Sequence, residues 1–227
     1  SKGSVAEGIE LLYKKNEIND VTTLTSVFDR GTQSDPRLDL AFDYLGYLGT
    51  PTRTAEQIKK ELYELACYQR LSCGPTQSNI GVSGLDKNVG KAMDIVEDLI
   101  FNAQPDTAIL AGLKSDIFKS RSDSKLSQRA CFSALQKYLF YGPEFIRNTT
   151  LTNEQIAALT SDELLQAVRD LYTKRHDILY YGPSDETTAK NMIAEHHKIS
   201  ENPEPLERIH PQARQVTSSE VFIAPYD

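Results

Sequence analysis

Alternation of apolar and polar residues in the first part of the chain predicts two β-hairpins. Residues 8–15 and 21–29 are strand-like, the second rich in Thr and Val, and a polar turn separates them. Residues 67–73 and 78–84 form a similar pair around the Gly-Pro turn at 74–77. A further strand is predicted at 175–181.

Helical periodicity dominates the rest of the chain, where apolar residues recur at i, i+3, i+4 and i+7. The predicted helices cover residues 35–48, 54–65, 86–100, 106–120, 126–140, 152–159, 161–172 and 184–197. Gly-Pro pairs at 142–143 and 182–183 predict breaks. This order predicts an α+β fold, in which an antiparallel or mixed sheet is packed on one side by several helices.

Composition narrows the classes of function. The chain has 227 residues, of which 39% are apolar and 25% charged, and its net charge is −7. These values are ordinary for a globular protein with a full hydrophobic core. No stretch gathers enough Lys and Arg to form a phosphate-binding stripe, which argues against nucleic acid as a partner. No apolar run approaches the roughly 20 residues of a membrane span.

The pattern predicts one α+β domain over residues 1–199. Residues 200–214 are rich in Pro, Glu and Arg and indicate a linker, and 221–225 look like a strand. Residues 200–227 are therefore predicted to be a linker and strand that lead to a following domain. The opening residues show neither an initiator Met nor a signal-peptide pattern, so we expect a piece of a longer polypeptide.

The cysteines and histidines give no metal signal. The three cysteines, at 67, 73 and 131, are expected to be free thiols, although one disulfide stays possible, which leaves the compartment open between cytoplasm and periplasm. His196 and His197 are adjacent and point about 100° apart on a helix, so they cannot chelate one ion together. We expect a solvated helix end there. His176 is expected to form a surface pair with Asp177.

Four short strings in a fixed order resemble the inverzincin zinc peptidases, the family of pitrilysin and insulin-degrading enzyme. They are VFDRG at 27–31, YLGYLGT at 44–50, IGVSGL at 80–85 and YYGP at 180–183. The resemblance covers residues 8–193. It implies an α+β fold of the metallopeptidase-like, LuxS/processing-peptidase type.

Active members of that family carry His-x-x-Glu-His on the helix before Gly-Thr, where the histidines bind zinc and the Glu activates water. Aligning the motif through Gly-Thr places Leu40 and Tyr44 at the His positions and Asp43 at the Glu. Asp116 best matches the third ligand. Leucine has no lone pair and neutral tyrosine is a poor zinc ligand, and the carboxylates alone suit only weak Mg²⁺ or Ca²⁺ binding. No metal or other cofactor is expected in this chain.

The resemblance implies a non-catalytic domain from the second half of a zinc metalloendopeptidase. Such a domain helps to enclose and bind unfolded peptide and supports the catalytic N-terminal half, which carries the zinc. The expected partners are that half, a following homologous domain and unfolded peptides. Active members add peptide as a strand to a sheet edge. The equivalent edge here is Leu71, Ser72, Cys73 and Gly74.

Three alternatives stay open. The chain could be a purely structural homologue that serves as a scaffold in a protein complex, or an unrelated enzyme that uses Asp43 and Asp116. The cations at 121, 125 and 129 could line an inner wall that attracts acidic peptides, or form a solvated helix face. The sequence lacks the Gly-x-Ser-x-Gly nucleophile elbow of hydrolases, the Gly-x-Gly-x-x-Gly motif of dinucleotide-binding proteins and the Gly-Lys-Ser/Thr of P-loops.

Overall fold

Six strands form one mixed sheet in the computed structural model, which describes residues 1–206 and 208–224. The strands are β1 (Lys2–Ala6), β2 (Ile9–Lys15), β3 (Val21–Phe28), β4 (Cys67–Cys73), β5 (Ser78–Leu85) and β6 (His176–Gly182). Their order across the sheet is β1-β2-β6-β3-β5-β4. Strands β2 and β6 run parallel, and the other neighbours in this sheet pair antiparallel.

Eight α-helices accompany the sheet in the described ranges. They are α1 (Leu38–Leu45), α2 (Ala55–Glu64), α3 (Asp86–Asn102), α4 (Thr107–Lys125), α5 (Gln128–Thr149), α6 (Asn153–Ala158), α7 (Ser161–Arg169) and α8 (Glu186–His196). Capping boxes at Thr54, Thr152 and Thr160 begin α2, α6 and α7, because each threonine hydroxyl accepts from a backbone N–H three residues later. None of these helices combines the length and apolarity needed to cross a bilayer.

The alternation of side chains gives the sheet one apolar face. Ile9 and Leu11 of β2 and Leu24 and Phe28 of β3 are buried there, whereas residues between them are more exposed. Helix α3 packs on β3, β4 and β5, and α1 packs on β4 and α7. The predicted α+β fold is confirmed: a mixed sheet with helices packed on its apolar face.

Several features differ from the sequence prediction. The first predicted hairpin is wrong, because β6 lies between β2 and β3 and pairs with both of them. Strand β1 was not predicted, because its short segment has little apolar alternation and its order comes from pairing with β2. The predicted break at 142–143 is a kink rather than an end. Gly142 has φ 76° and ψ −179°, and α5 resumes because Pro143 is well suited to the first turn of a helix.

The tail beyond α8 is fastened to the domain without regular structure. Lys174 forms an ion pair with Glu204, and the Glu204 N–H donates to the Thr173 carbonyl at 2.9 Å. Arg208 pairs with Asp29 at 2.6 Å. Residues 221–224, which looked strand-like, pair with no strand in the described part of the chain, and Pro225 lies outside it.

The expectation of solvated histidines is wrong for His197 and His176. The side chain of His197 is 1% exposed, and its Nδ1 lies 2.5 Å from Glu97 Oε1. Its Nε2 lies 2.8 Å from His176 Nε2, and His176 Nδ1 lies 2.9 Å from the Lys174 carbonyl oxygen. His197 is buried because α8 packs on α3, which carries Glu97. Only tertiary contact could reveal this.

The environment of His176 favours its neutral form. Its Nδ1 lies beside the Lys174 carbonyl, which can only accept, so Nδ1 carries the hydrogen, and a neutral His176 then accepts at Nε2 from His197. Burial, followed by the proximity of His197, lowers the pKa of His176 from 6.5 to about 4. Below pH 6.5 the unfolded chain therefore gains a proton that the folded chain does not bind.

We expect this difference to make folding acid-sensitive. Stability is complete above pH 6.5 and falls by about 3 kcal/mol as the pH drops from 6.5 to 4, because only the unfolded state protonates His176 in that range. Urea unfolding at several pH values measures the slope. His176→Gln should flatten it relative to the wild type. The exposed His210→Gln should leave it unchanged, and equal slopes in both variants would contradict the assignment.

Candidate functional site

A cavity of about 380 Å³ lies where α1, the end of β4 and the α4–α5 pair meet. Two residues of the degenerate motif, Leu40 and Asp43, line it. Two residues of the predicted sheet edge, Cys73 and Gly74, line the same cavity. The fold thus brings together half of the residues that the sequence singled out.

The wall formed by α1 is apolar at its base and acidic at its rim. Leu40 is buried in the core. Asp39 and Asp43 lie four residues apart and therefore on one side of the helix, at the exposed rim. Partial burial, with the neighbouring Asp39 carboxylate as a second cause, raises the pKa of Asp43 above its usual value. The rim therefore carries a pair of repelling carboxylates.

Tyr44 lies beneath this wall and does not line the cavity. Its side chain is fully buried. The phenol oxygen accepts from the Asp106 N–H at 2.7 Å, and it lies 2.9 Å from Ser161 Oγ and 3.0 Å from the Asp106 carbonyl. Tyr44 thereby ties α1 to the first turns of α4 and α7.

Asp116 is not brought to the cavity. It borders a shallow surface hollow with Lys119 and Asp123. The residues of α4 that face the cavity are Ile117 and Arg121, four residues apart on one side of the helix. Arg121, which the sequence offered as a possible inner-wall residue, is therefore at the site.

Lys137 is a site residue that the sequence reasoning missed. It lines the cavity from α5, opposite α1. Helix α5 has cations and apolar residues on several sides, so its periodicity does not select one side as the inner one.

The residues present do not fit a zinc ion. Leu40 offers no donor atom, and the Tyr44 hydroxyl is already hydrogen-bonded. Burial raises the pKa of the Cys73 thiol to about 11, which disfavours the thiolate that would bind a metal. Within residues 1–206 and 208–224, no group of three or more His, Cys, Asp or Glu is placed to hold a metal ion.

The turn after β4 is covered by the loop that follows the VFDRG string. The Thr32 N–H donates to the Gly74 carbonyl, and the Gln33 N–H to the Pro75 carbonyl, both at 2.9 Å. Gly31 permits this approach, since a Cβ there would lie 2.2 Å from the Gly74 oxygen. The backbone oxygen of Gly74 is therefore already engaged.

Strand β4 is one of the two edge strands of the sheet, and β1 is the other. The Gly74 N–H donates inward to the Gln77 carbonyl. Because hydrogen-bonded pairs alternate along an antiparallel ladder, Ser72 also faces β5, and the backbone groups of Leu71 and Cys73 face outward. Those outward groups find no backbone partner among the described residues. The predicted edge thus offers Leu71 and Cys73 rather than Ser72 and Gly74.

Comparison by sequence finds no relative: no family model matches, and no curated protein matches. Comparison by structure finds solved proteins of similar fold. The periplasmic protease PqqL from Escherichia coli gives a TM-score of 0.78 at 18% identity, over 97% of this chain and 26% of the solved one. A peptidase M16 inactive domain from Pseudomonas fluorescens gives 0.77 at 15% identity, over 93% and 53%. The ferredoxin protease FusC, solved as a mutant with Arabidopsis ferredoxin, gives 0.73 at 11% identity, over 91% and 23%.

These similarities establish the fold. The chain spans about a quarter to a half of the length of the solved chains that it matches. At the level of fold, the inverzincin resemblance is confirmed: the chain has the architecture of an M16-type peptidase domain.

We expect Tyr44→Phe to destabilise the protein by about 1–3 kcal/mol, because the Asp106 N–H and the buried Ser161 hydroxyl both lose their partner. Tyr47→Phe is the matched control: Tyr47 lies just beyond α1 and is exposed, so its loss should change stability by less than about 0.5 kcal/mol. Chemical denaturation measures both. Equal stability of the two variants would show that the Tyr44 hydroxyl contributes nothing to helix packing.

Proposed function

We propose that this chain is a non-catalytic domain of a larger zinc-dependent metallopeptidase of the inverzincin type. In this role it encloses and binds unfolded peptide and supports a catalytic half that carries the zinc. The observation that carries the proposal is the cavity in which Leu40 and Asp43, at the motif positions, meet the end of the free strand edge.

The solved structures support the proposal that such a domain is one part of a longer peptidase. One of them is a peptidase M16 inactive domain, and two others are proteases whose chains are about four times as long as the part matched. A domain of this fold without zinc ligands is therefore reasonable as one part of a longer peptidase.

Peptide would bind by adding a strand to β4. The outward N–H and carbonyl groups of Leu71 and Cys73 would pair with an extended peptide, each hydrogen bond contributing about 0.5–1.5 kcal/mol. Past Cys73, the peptide would reach the cavity between α1 and the α4–α5 pair. Side chains of many sequences could be accepted, because the backbone makes these contacts.

Hydrolysis would belong to another domain. Leu40 cannot hold a metal, so the water that zinc would activate in an active member has no counterpart here. Peptide held at β4 would be positioned but not cut by this chain.

Leu71→Pro tests the edge. Proline removes one outward N–H while leaving the bonds to β5 in place. An uncharged, unstructured Thr- and Ser-rich peptide, followed by NMR titration, should shift the resonances of β4. Its affinity should fall at least about fivefold in Leu71→Pro, and change less than about twofold in Leu71→Ala, which keeps the N–H but loses the side chain.

Two outcomes would overturn the proposal. Shifts that are missing from β4 in the wild type would favour a purely structural role. Cleavage of the peptide by this chain after addition of one equivalent of Zn²⁺, with loss of cleavage on chelation, would show a catalytic rather than a companion domain.

A further inference from the structure

The charge of the chain is unevenly distributed. The helical hairpin formed by α4 and α5, residues 107–149, is called the basic hairpin here. It carries seven Lys and Arg against three Asp and Glu, and the rest of the chain carries 18 against 29. A net charge of +4 on the basic hairpin therefore lies within a chain of net charge −7. Such segregation creates a local field opposite in sign to that of the whole molecule.

The cations of the basic hairpin are not neutralised by neighbours. Among the described residues, none of the seven lies within ion-pair distance of a carboxylate, whereas nine of the 18 elsewhere do. Lys114 donates to the Ala157 and Leu159 carbonyls, and Arg121 donates to the Asn153 side chain. These three acceptors are neutral, so the contacts do not cancel the positive charges of Lys114 and Arg121.

Aromatic side chains accompany these cations. Phe132 and Phe140 are more than half exposed, and Tyr138 and Tyr141 are more than a third exposed. Helix α5 packs chiefly on α4. The tail contacts the middle of α5, where the rings of Phe222 and Tyr138 have a centroid distance of 5.9 Å. Exposed rings beside unpaired cations form a surface that favours a partner with both acidic and apolar groups.

The basic hairpin is also a wall of the cavity next to β4. Arg121 and Lys137 line that cavity, and Cys73 and Gly74 line it from the other side. A polypeptide lying along the outward edge of β4 would therefore reach these two cations. Asp39 and Asp43 at the rim oppose an acidic segment, whereas Arg121 and Lys137 in the cavity and the net charge of +4 on the basic hairpin attract one.

We propose that the basic hairpin makes the peptide site charge-selective, so that it takes acidic stretches of unfolded polypeptide that contain aromatic residues. This inference rests on the proposed function and adds a substrate class to it. Carboxylates of the peptide pair with Arg121 and Lys137, and its rings pack on the exposed aromatic residues of α5.

Two random copolymers serve as probes: one of glutamate and tyrosine, the other of lysine and tyrosine. Each is labelled and titrated with the 227-residue chain at low salt, and binding is followed by fluorescence anisotropy. Bulk attraction to a chain of net charge −7 favours the lysine copolymer. We expect the opposite order, with the glutamate copolymer binding at least about fivefold tighter and weakening as salt is added.

Arg121→Gln combined with Lys137→Gln should weaken binding of the glutamate copolymer at least about fivefold. Lys59→Gln combined with Lys87→Gln is the matched control, because it removes the same charge from exposed positions on α2 and α3. That control should change binding less than about twofold. Lys137→Gln alone should give a partial loss, and it keeps the test valid if the Arg121 change disturbs folding.

The outcomes separate this inference from the proposed function. A preference for the lysine copolymer, or equal losses in the hairpin and control variants, overturns the charge selection, while binding of the uncharged peptide at β4 leaves the proposed function standing. Failure of every peptide overturns both. If the glutamate copolymer does not bind but phosphatidylserine vesicles do, or if the chain dimerises through the basic hairpin, the surface serves a membrane or a second copy and the inference is wrong.

Discussion

The buried hydroxyl of Tyr44 is the contact on which the arrangement of the helices around the site depends. It joins α1 to the first turn of α4 through Asp106 and to the first turn of α7 through Ser161. Because an unpaired buried polar group costs more than an ordinary hydrogen bond contributes, the three helix ends are held in one arrangement. That arrangement places α1 and α4 on facing sides of the cavity.

The side chains at the motif positions serve packing and not metal binding. Tyr44 stands where the resemblance expects a metal ligand, yet its side chain serves packing. Leu40 contributes a buried apolar surface rather than a donor atom. What stays at the site is a cavity with charged walls beside an unpaired strand edge. These are features of binding rather than of bond cleavage, and they agree with the proposed role.

Ionisable groups are used in two opposite ways in this molecule. Glu97, His197 and His176 are buried in one continuous hydrogen-bonded chain, which fixes α8 to α3 and β6. Burial disfavours a charged His176 within this chain. The cations of the basic hairpin are instead exposed and without carboxylate partners among the described residues. The first group stabilises the fold, and the second is available to a partner.

The sequence by itself determined most of the strands and helices, the α+β class and the residue types at the motif positions, because strand and helix periodicity and side-chain chemistry are local properties. Only the tertiary structure decided which side of α4 faces the cavity, so that Arg121 rather than Asp116 is at the site. It likewise decided that His197 is buried and that the backbone N–H and carbonyl groups of Leu71 face away from β5. Such facts depend on how elements distant in the chain are rotated and paired against each other, and periodicity within one element does not fix that rotation.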